Sequence, residues 1–283
     1  VKSAELRGRG GAGFSCGLKW TFLPEPDGDK RYLCINCDEA EPGTFKDRLL
    51  VDFDPHSVIE GIAITCYACQ LDTACFFIRG EWELQAKIIQ KAIDEAYENG
   101  IFGSQGLMSG ASDFSVECFL HRGAGAYICG EETALLEAVE GKRGWPRIKP
   151  PFPAVSGLFG RPTIINNVET LSAVALILDR GKEWWQSLGC ESSVGAAASY
   201  GTKLMGVSGH VNNPDVFEIE LGMPLRQLVE EHAGGMKGGR AFKGAIAGGV
   251  SMGILGTDQY EAEMDFDIGN KYGVMGLGTA CPT

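Results

Sequence analysis

Hydrophobic and polar positions fall into blocks whose spacing predicts most of the elements. "RYLCINC" at 31–37 is an apolar run of strand length, closed by the acidic turn "DEAEPG". "HSVIEGIAITCYACQL" at 56–71 has the length and spacing of a helix, and "TACFFIR" at 73–79 returns to a strand. Over 82–100 apolar residues recur at helical intervals until Gly100 stops them. "FSVECFL" at 114–120 predicts another strand. A glycine loop follows it, then a helix over 131–142 that ends at Gly141. A further helix is expected over 166–181, opened by an asparagine cap. Strands alternating with helices predict an α/β domain with a mainly parallel sheet.

The pattern changes after "GKEWWQSLGCESSVGAAASYG". From Thr202 onward "KLMGVSGHV", "VFEIELG", "PLRQLVEEHAGG" and "FKGAIAGG" predict strand, strand, helix, strand, with glycine-rich turns. That is a small α+β unit. The expected domains are therefore 1–189 and 190–283.

Composition narrows the function classes. The chain has 283 residues and no run of 18 apolar ones, so no membrane-spanning helix and no membrane insertion are expected. Val1-Lys2-Ser3-Ala4-Glu5 is polar and lacks a starting methionine, which reads as an internal segment with no export signal. The net charge of −12 argues against a nucleic-acid binder and against an anionic membrane surface. Ten cysteines without an export signal read as reduced thiols in a cytoplasmic protein. Cys34/Cys37 and Cys66/Cys69 have CxxC spacing, which zinc or an iron–sulfur cluster could use. Their apolar strand and helix settings favour thiols packed as small hydrophobes.

Candidate chemistry gathers in three stretches. In "LRGRGGAGFSCGLKW" (6–20), Gly8, Gly10 and Gly13 fit G-x-G-x-x-G, yet no convincing strand precedes them. Arg7, Arg9 and Lys19 could grip phosphate or form a solvated basic face. "HRGAGAYICGEETALLEA" (121–138) is better set, because it follows a strand and opens a helix whose free N–H groups attract phosphate or a polarised ring oxygen. Glu131 and Glu132 there could complement the helix dipole or bond ribose hydroxyls, the latter favouring NAD over NADP. The acidic turn "NCDEAEPGTFKDR" (36–48) carries Asp38, Glu39 and Glu41, suited to a metal, to acid–base work or to hydrogen bonding a ligand. No histidine is near it in sequence, so no metal ligand is assigned.

Four motifs in order, "LRGRGGAGFSCGLKW", "NCDEAEPGTFKDR", "GAGAYICGEETALLEA" and "GRPTIINNVETL", closely resemble the flavin- and NADH-binding subunit of respiratory complex I, the 51 kDa type. The same type serves NAD-linked hydrogenases, formate dehydrogenases and electron-bifurcating complexes. The resemblance implies a Rossmann-like domain holding FMN and NAD(H), followed by a ubiquitin-like β-grasp domain whose role is packing. It implies FMN contacts from Gly8, Arg9, Gly10, Gly11, Lys19, Asn36, Asp38, Glu39, Gly130, Glu131, Asn166, Asn167 and Thr170. It implies NAD contacts from Phe14, Phe22, Glu41, Glu132, Lys149 and Phe152. Hydride would pass directly between cofactors, with no catalytic side chain. Single electrons would then reach partner subunits, one a thioredoxin-like [2Fe–2S] protein and one a larger iron–sulfur protein. The family's helical domain with its [4Fe–4S] cluster is expected beyond Thr283, outside this sequence. Cys37, and the pair Ser15 and Cys16, depart from the family's alanine and proline-threonine. Alternatives are the same module run towards NAD reduction or bifurcation, and a scaffold that has lost the flavin.

Overall fold

Four strands, β1 (Tyr32–Cys37), β2 (Thr73–Ile78), β3 (Glu117–Arg122) and β4 (Thr163–Asn167), pair in the order β3-β2-β1-β4. Every pairing is parallel. The computed structural model describes residues 1–103, 114–194, 197–274 and 276–282. Among the described residues these helices accompany the sheet: α1 (Cys16–Trp20), α2 (Asp47–Phe53), α3 (Pro55–Cys69), α4 (Glu83–Glu98), α5 (Glu132–Val139), α6 (Pro153–Ser156) and α7 (Val168–Arg180).

Alternation along the strands feeds two cores. Leu33, Ile35 and Cys37 of β1 and Ala74, Phe76 and Ile78 of β2 pack with Val58, Ile62, Ile89, Ile93 and Leu171 of α3, α4 and α7. Cys34, Cys75, Phe77 and Ile165 turn to the opposite face, against Leu135 and Leu136 of α5. With both faces covered, β2 is buried at every position, which is why "TACFFI" is a continuous apolar run. The CxxC cysteines Cys34, Cys37, Cys66 and Cys69 are buried in these cores among apolar side chains, as their settings favoured.

The helix expected from residue 166 instead begins at Val168, and "TIINN" before it is the missed strand β4. No turn residues separate the two. The switch is made by Asn167, whose Oδ1 accepts the Glu169 N–H at 3.0 Å. The short α2 was also not predicted. The predicted helix at 56–71 is α3, capped by Asp54, whose carboxylate accepts from the Ser57 N–H at 3.2 Å.

Towards the C-terminus, β5 (Gly189–Cys190) and β6 (Ser199–Tyr200) form a small ladder. A second sheet holds β7 (Thr202–Val207), β8 (Asp215–Glu220), β9 (Gly244–Ile246), β10 (Ile254–Gly256) and β11 (Thr279–Pro282), in the order β10-β9-β11-β7-β8. β7 and β8 are an antiparallel hairpin, and β11 runs parallel to β7. A helical stretch over Leu225–His232 follows the hairpin. This is the β-grasp order expected from the resemblance. Its core includes Met205, Val207, Ile219, Leu228, Ala245, Leu255, Met264 and Leu277.

Contacts divide the chain otherwise than at residue 190. One unit is Leu18–Ala40 with Asp47–Leu176, which carries the parallel sheet; the other is Val1–Gly17, Glu41–Lys46 and Ile177–Thr283. Long-range bonds explain the difference. The buried Arg9 guanidinium donates to the Tyr200 carbonyl at 2.7 Å, and Lys203 Nζ donates to the Arg9 carbonyl at 3.2 Å. The Leu277 N–H donates to the Gly11 carbonyl at 3.2 Å. A boundary drawn along the sequence has no access to such pairings.

Candidate functional site

The chain runs outward from β1 to β2 to β3, then returns to β4 on the other side of β1. In open parallel sheets ligands bind beyond the strand carboxyl ends at such a reversal. Here that edge is formed by Asn36 of β1, by Asp38 just after it, and by Asn166 and Asn167 of β4. Neighbouring groups fix their side chains. Asn36 Nδ2 donates to the Gly130 carbonyl at 2.8 Å, and the Asp38 N–H donates to Asn36 Oδ1 at 3.1 Å. Trp20 Nε1 donates to Asn166 Oδ1 at 3.0 Å, which sets the orientation of that amide. Asn167 Nδ2 donates to Asp47 Oδ2 at 2.7 Å and to the Asn36 carbonyl at 3.3 Å. Lys19 Nζ donates to the Ile165 carbonyl at 2.7 Å.

Two charged groups dominate. Asp38 Oδ2 is buried and meets no hydrogen-bond donor of the described residues. Burial pushes the Asp38 pKa up to about 6, with Arg79 opposing the rise and Glu81 adding to it. The second group is a carboxylate–ammonium cluster at the start of α5. Lys149 Nζ lies 2.8 Å from Glu132 Oε1 and 3.2 Å from Glu131 Oε1, and Lys19 Nζ lies 3.2 Å from Glu132 Oε2. Burial works against ionised Glu132, but the two lysines outweigh it and its pKa falls below the ordinary value. Glu131 is lowered too: burial opposes, while the Thr133 hydroxyl, the Ala134 N–H and Lys149 prevail. Glu131 also caps α5, accepting from the Thr133 N–H at 2.8 Å and the Ala134 N–H at 3.0 Å.

The sequence-predicted residues of this unit thus form two groups, Asn36, Asp38, Gly130, Asn166 and Asn167 at the sheet edge and Lys19, Glu131, Glu132 and Lys149 at α5. Glu39 caps α2: its buried carboxylate accepts the Asp47 N–H at 3.0 Å and the Arg48 N–H at 3.3 Å. Thr170 is fully buried in the first turn of α7. Phe22 and Phe152 are half-exposed. Trp20, Asp47 and Arg79 were missed. Trp20 stood in "GLKW" beside the selected lysine, and Arg79 follows β2 at the same carboxyl edge that drew attention to Asp38.

In the other unit, residues 7–15 form a tight loop. Arg7 and Ser15 bridge, and the Gly8 N–H donates to the Phe14 carbonyl at 2.8 Å. Gly13, at φ +64°, has no room for a side chain, because a Cβ would stand 2.3 Å from the Phe266 ring. Gly11 is the opposite case: a Cβ there would meet nothing within 4 Å. Packing therefore does not require Gly11 to be bare, although its φ of +120° favours glycine, and Gly10 and Phe14 of the same loop are exposed. The Arg9 guanidinium is buried and turned onto the Tyr200 carbonyl, beside the Trp185 ring at 5.2 Å. Glu41 accepts from Ser251, through the main-chain N–H at 2.9 Å and the hydroxyl at 2.7 Å.

Known proteins share this arrangement. Residues 1–176 match the family model described as the Nuo51 FMN-binding domain, and residues 204–255 match an SLBB domain. A subunit of the NADH-quinone oxidoreductase of Rhizobium meliloti is 50% identical over 280 residues, covering 99% of this chain and 64% of that protein. Its counterpart in the NADH-quinone oxidoreductase of Rickettsia typhi is 49% identical over 280 residues, again 99% of this chain and 64% of that protein. The chain therefore spans just under two thirds of these relatives. A crystal structure of NAD+-reducing [NiFe]-hydrogenase in the H2-reduced state superposes with a TM-score of 0.86 at 35% identity, over 100% of this chain and 45% of that one. With most of its length matched in sequence and all of it in structure, the chain belongs to the Nuo51 FMN-binding domain family.

Proposed function

We propose that this chain is the FMN- and NAD(H)-binding part of an NADH dehydrogenase-type oxidoreductase that feeds electrons to iron–sulfur partners. The observation that carries the reading is Asp38 Oδ2, a buried acceptor with no donor of its own at the reversal of a parallel sheet. An orphaned buried acceptor is costly unless a ligand completes it, and a flavin ring offers an N–H. The bare Gly130, whose Cβ would crowd the Asp38 carbonyl at 3.3 Å, suits a flat ring lying close to main chain.

FMN is thus assigned to Lys19, Asn36, Asp38, Gly130, Glu131, Asn166, Asn167 and Thr170, with Gly8, Gly10 and Gly11 added on the family resemblance. Glu39 and Arg9 are assigned to the same flavin on the family resemblance, from positions where they also cap α2 and meet the Tyr200 carbonyl. Held by these residues, FMN would supply hydride acceptance from NADH and one-electron release. NAD(H) is assigned to Phe14, Phe22, Glu41, Glu132, Lys149 and Phe152. Ionised Glu132 would bond ribose hydroxyls and repel a 2′-phosphate, favouring NADH over NADPH. Lys149 and Lys19 keep that carboxylate charged. The recipients would be the clusters of a [2Fe–2S] subunit and a larger iron–sulfur subunit, on the cytoplasmic side.

Anaerobic mixing of the FMN-loaded full-length subunit with NADH tests this. The flavin absorbance should bleach with NADH and far more slowly with equal NADPH. A yellow protein that NADH leaves unbleached refutes the reading.

A further inference from the structure

We propose that Ser251, in the loop between β9 and β10, is a positioning residue that holds Glu41 ready for the nicotinamide nucleotide. The proposal rests on the NAD(H) role assigned to Glu41 above. Both donors of Ser251 converge on one oxygen, Glu41 Oε1, at 2.9 Å from the main-chain nitrogen and 2.7 Å from the hydroxyl. The loop is shaped to this side chain. Gly249 sits at φ +100°, and a Cβ there would stand 2.4 Å from Glu41 Cγ and 2.6 Å from Oε1. A residue other than glycine would therefore both strain the backbone and displace the carboxylate. Glu41 lies in the stretch matched by the FMN-binding domain and Ser251 in the stretch matched by the SLBB domain, yet contacts put both in one compact unit.

The consequence is a task for the β-grasp unit besides packing. A glutamate in an acidic turn has several rotamers, and a ligand that uses it must order it on binding. Two hydrogen bonds from the Gly249–Ser251 loop order it beforehand. Charge-assisted bonds to a carboxylate are also about twice as strong as neutral ones, so the orientation persists when the nucleotide arrives. Glu41 would then meet its ligand already ordered, and the ordering cost would not be drawn from nucleotide affinity. Ser251 touches Glu41 and acts on the nucleotide only through it.

The test is NAD+ binding by calorimetry to the flavin-loaded, full-length subunit in its complex, together with NADH kinetics. Ser251→Ala should weaken NAD+ binding about three- to tenfold, with the loss falling on KM for NADH more than on kcat and with FMN content retained. Ser251→Thr, which keeps the hydroxyl, should restore most of the affinity. In a Glu41→Ala background, Ser251→Ala should add nothing further. The proposal is overturned if Ser251→Ala binds NAD+ as the parent does, or if it weakens binding equally with Glu41 removed. A parent complex that keeps its FMN but fails to bind NAD+ overturns the role of Glu41 itself, and the proposal with it.

Discussion

At the scale of residues, Asp38 carries the most consequence. Its pKa is raised from 3.8 to about 6, burial being the largest cause. A carboxyl held neutral by the fold contributes stability that is whole below the unfolded value and is lost as pH rises through the folded one. In the flavin-free protein, the urea midpoint should therefore fall between about pH 4 and pH 7. Asp38→Asn should flatten that part of the curve; an unchanged slope in the variant would contradict the assignment. The residue type and its place after a strand were legible in the sequence, because "NCDEAEPG" ends an apolar run. Its neighbours were less so. Glu39, one residue on, looked equivalent, but it caps a helix that begins at Asp47. Arg9 showed locally only a basic side chain in a glycine loop; its bond to the Tyr200 carbonyl, far along the chain, was not legible there. A charged side chain's direction depends on what folds against it, and local pattern does not contain that.

At the scale of elements, the strand–helix alternation was legible wherever turn or glycine signals bounded each block. It failed at β4, where strand passes into α7 without a turn, so the helix was expected to begin at Asn166, inside the strand. That junction matters because β4 completes the reversal at which the candidate site lies. The cover on one face of the sheet depends on a close crossing of α3 with α7. Gly61 makes it possible, since a Cβ there would stand 2.1 Å from the Leu171 carbonyl oxygen. Main chain cannot yield as a flexible side chain can, so Gly61→Ala should cost about 2–3 kcal/mol, read as a lower urea midpoint. A variant as stable as the parent would show that the crossing is looser than described. The glycine was visible inside a helical pattern, where it is unfavourable; only the packing explains it.

At the scale of the whole molecule, the α/β class and the small α+β unit after it could both be read from patterning, while the partition of residues between the units could not. The amino-terminal glycine loop and Glu41–Lys46 join the unit built mostly from the C-terminal third, through main-chain and side-chain bonds of very long sequence separation. Two family matches on one chain, with Glu41 in the first bonded to Ser251 in the second, describe modules that are continuous in sequence yet share a unit. No helix among the described residues is long and apolar enough to cross a membrane. FMN is proposed to occupy the carboxyl edge where β1 and β4 meet. An experimental density map of the full-length subunit saturated with FMN tests this placement. Isoalloxazine density is expected beside Asn36, Asp38, Gly130 and Asn166, with a donor on Asp38 Oδ2. Density for the flavin elsewhere, leaving that oxygen without a partner, would contradict it.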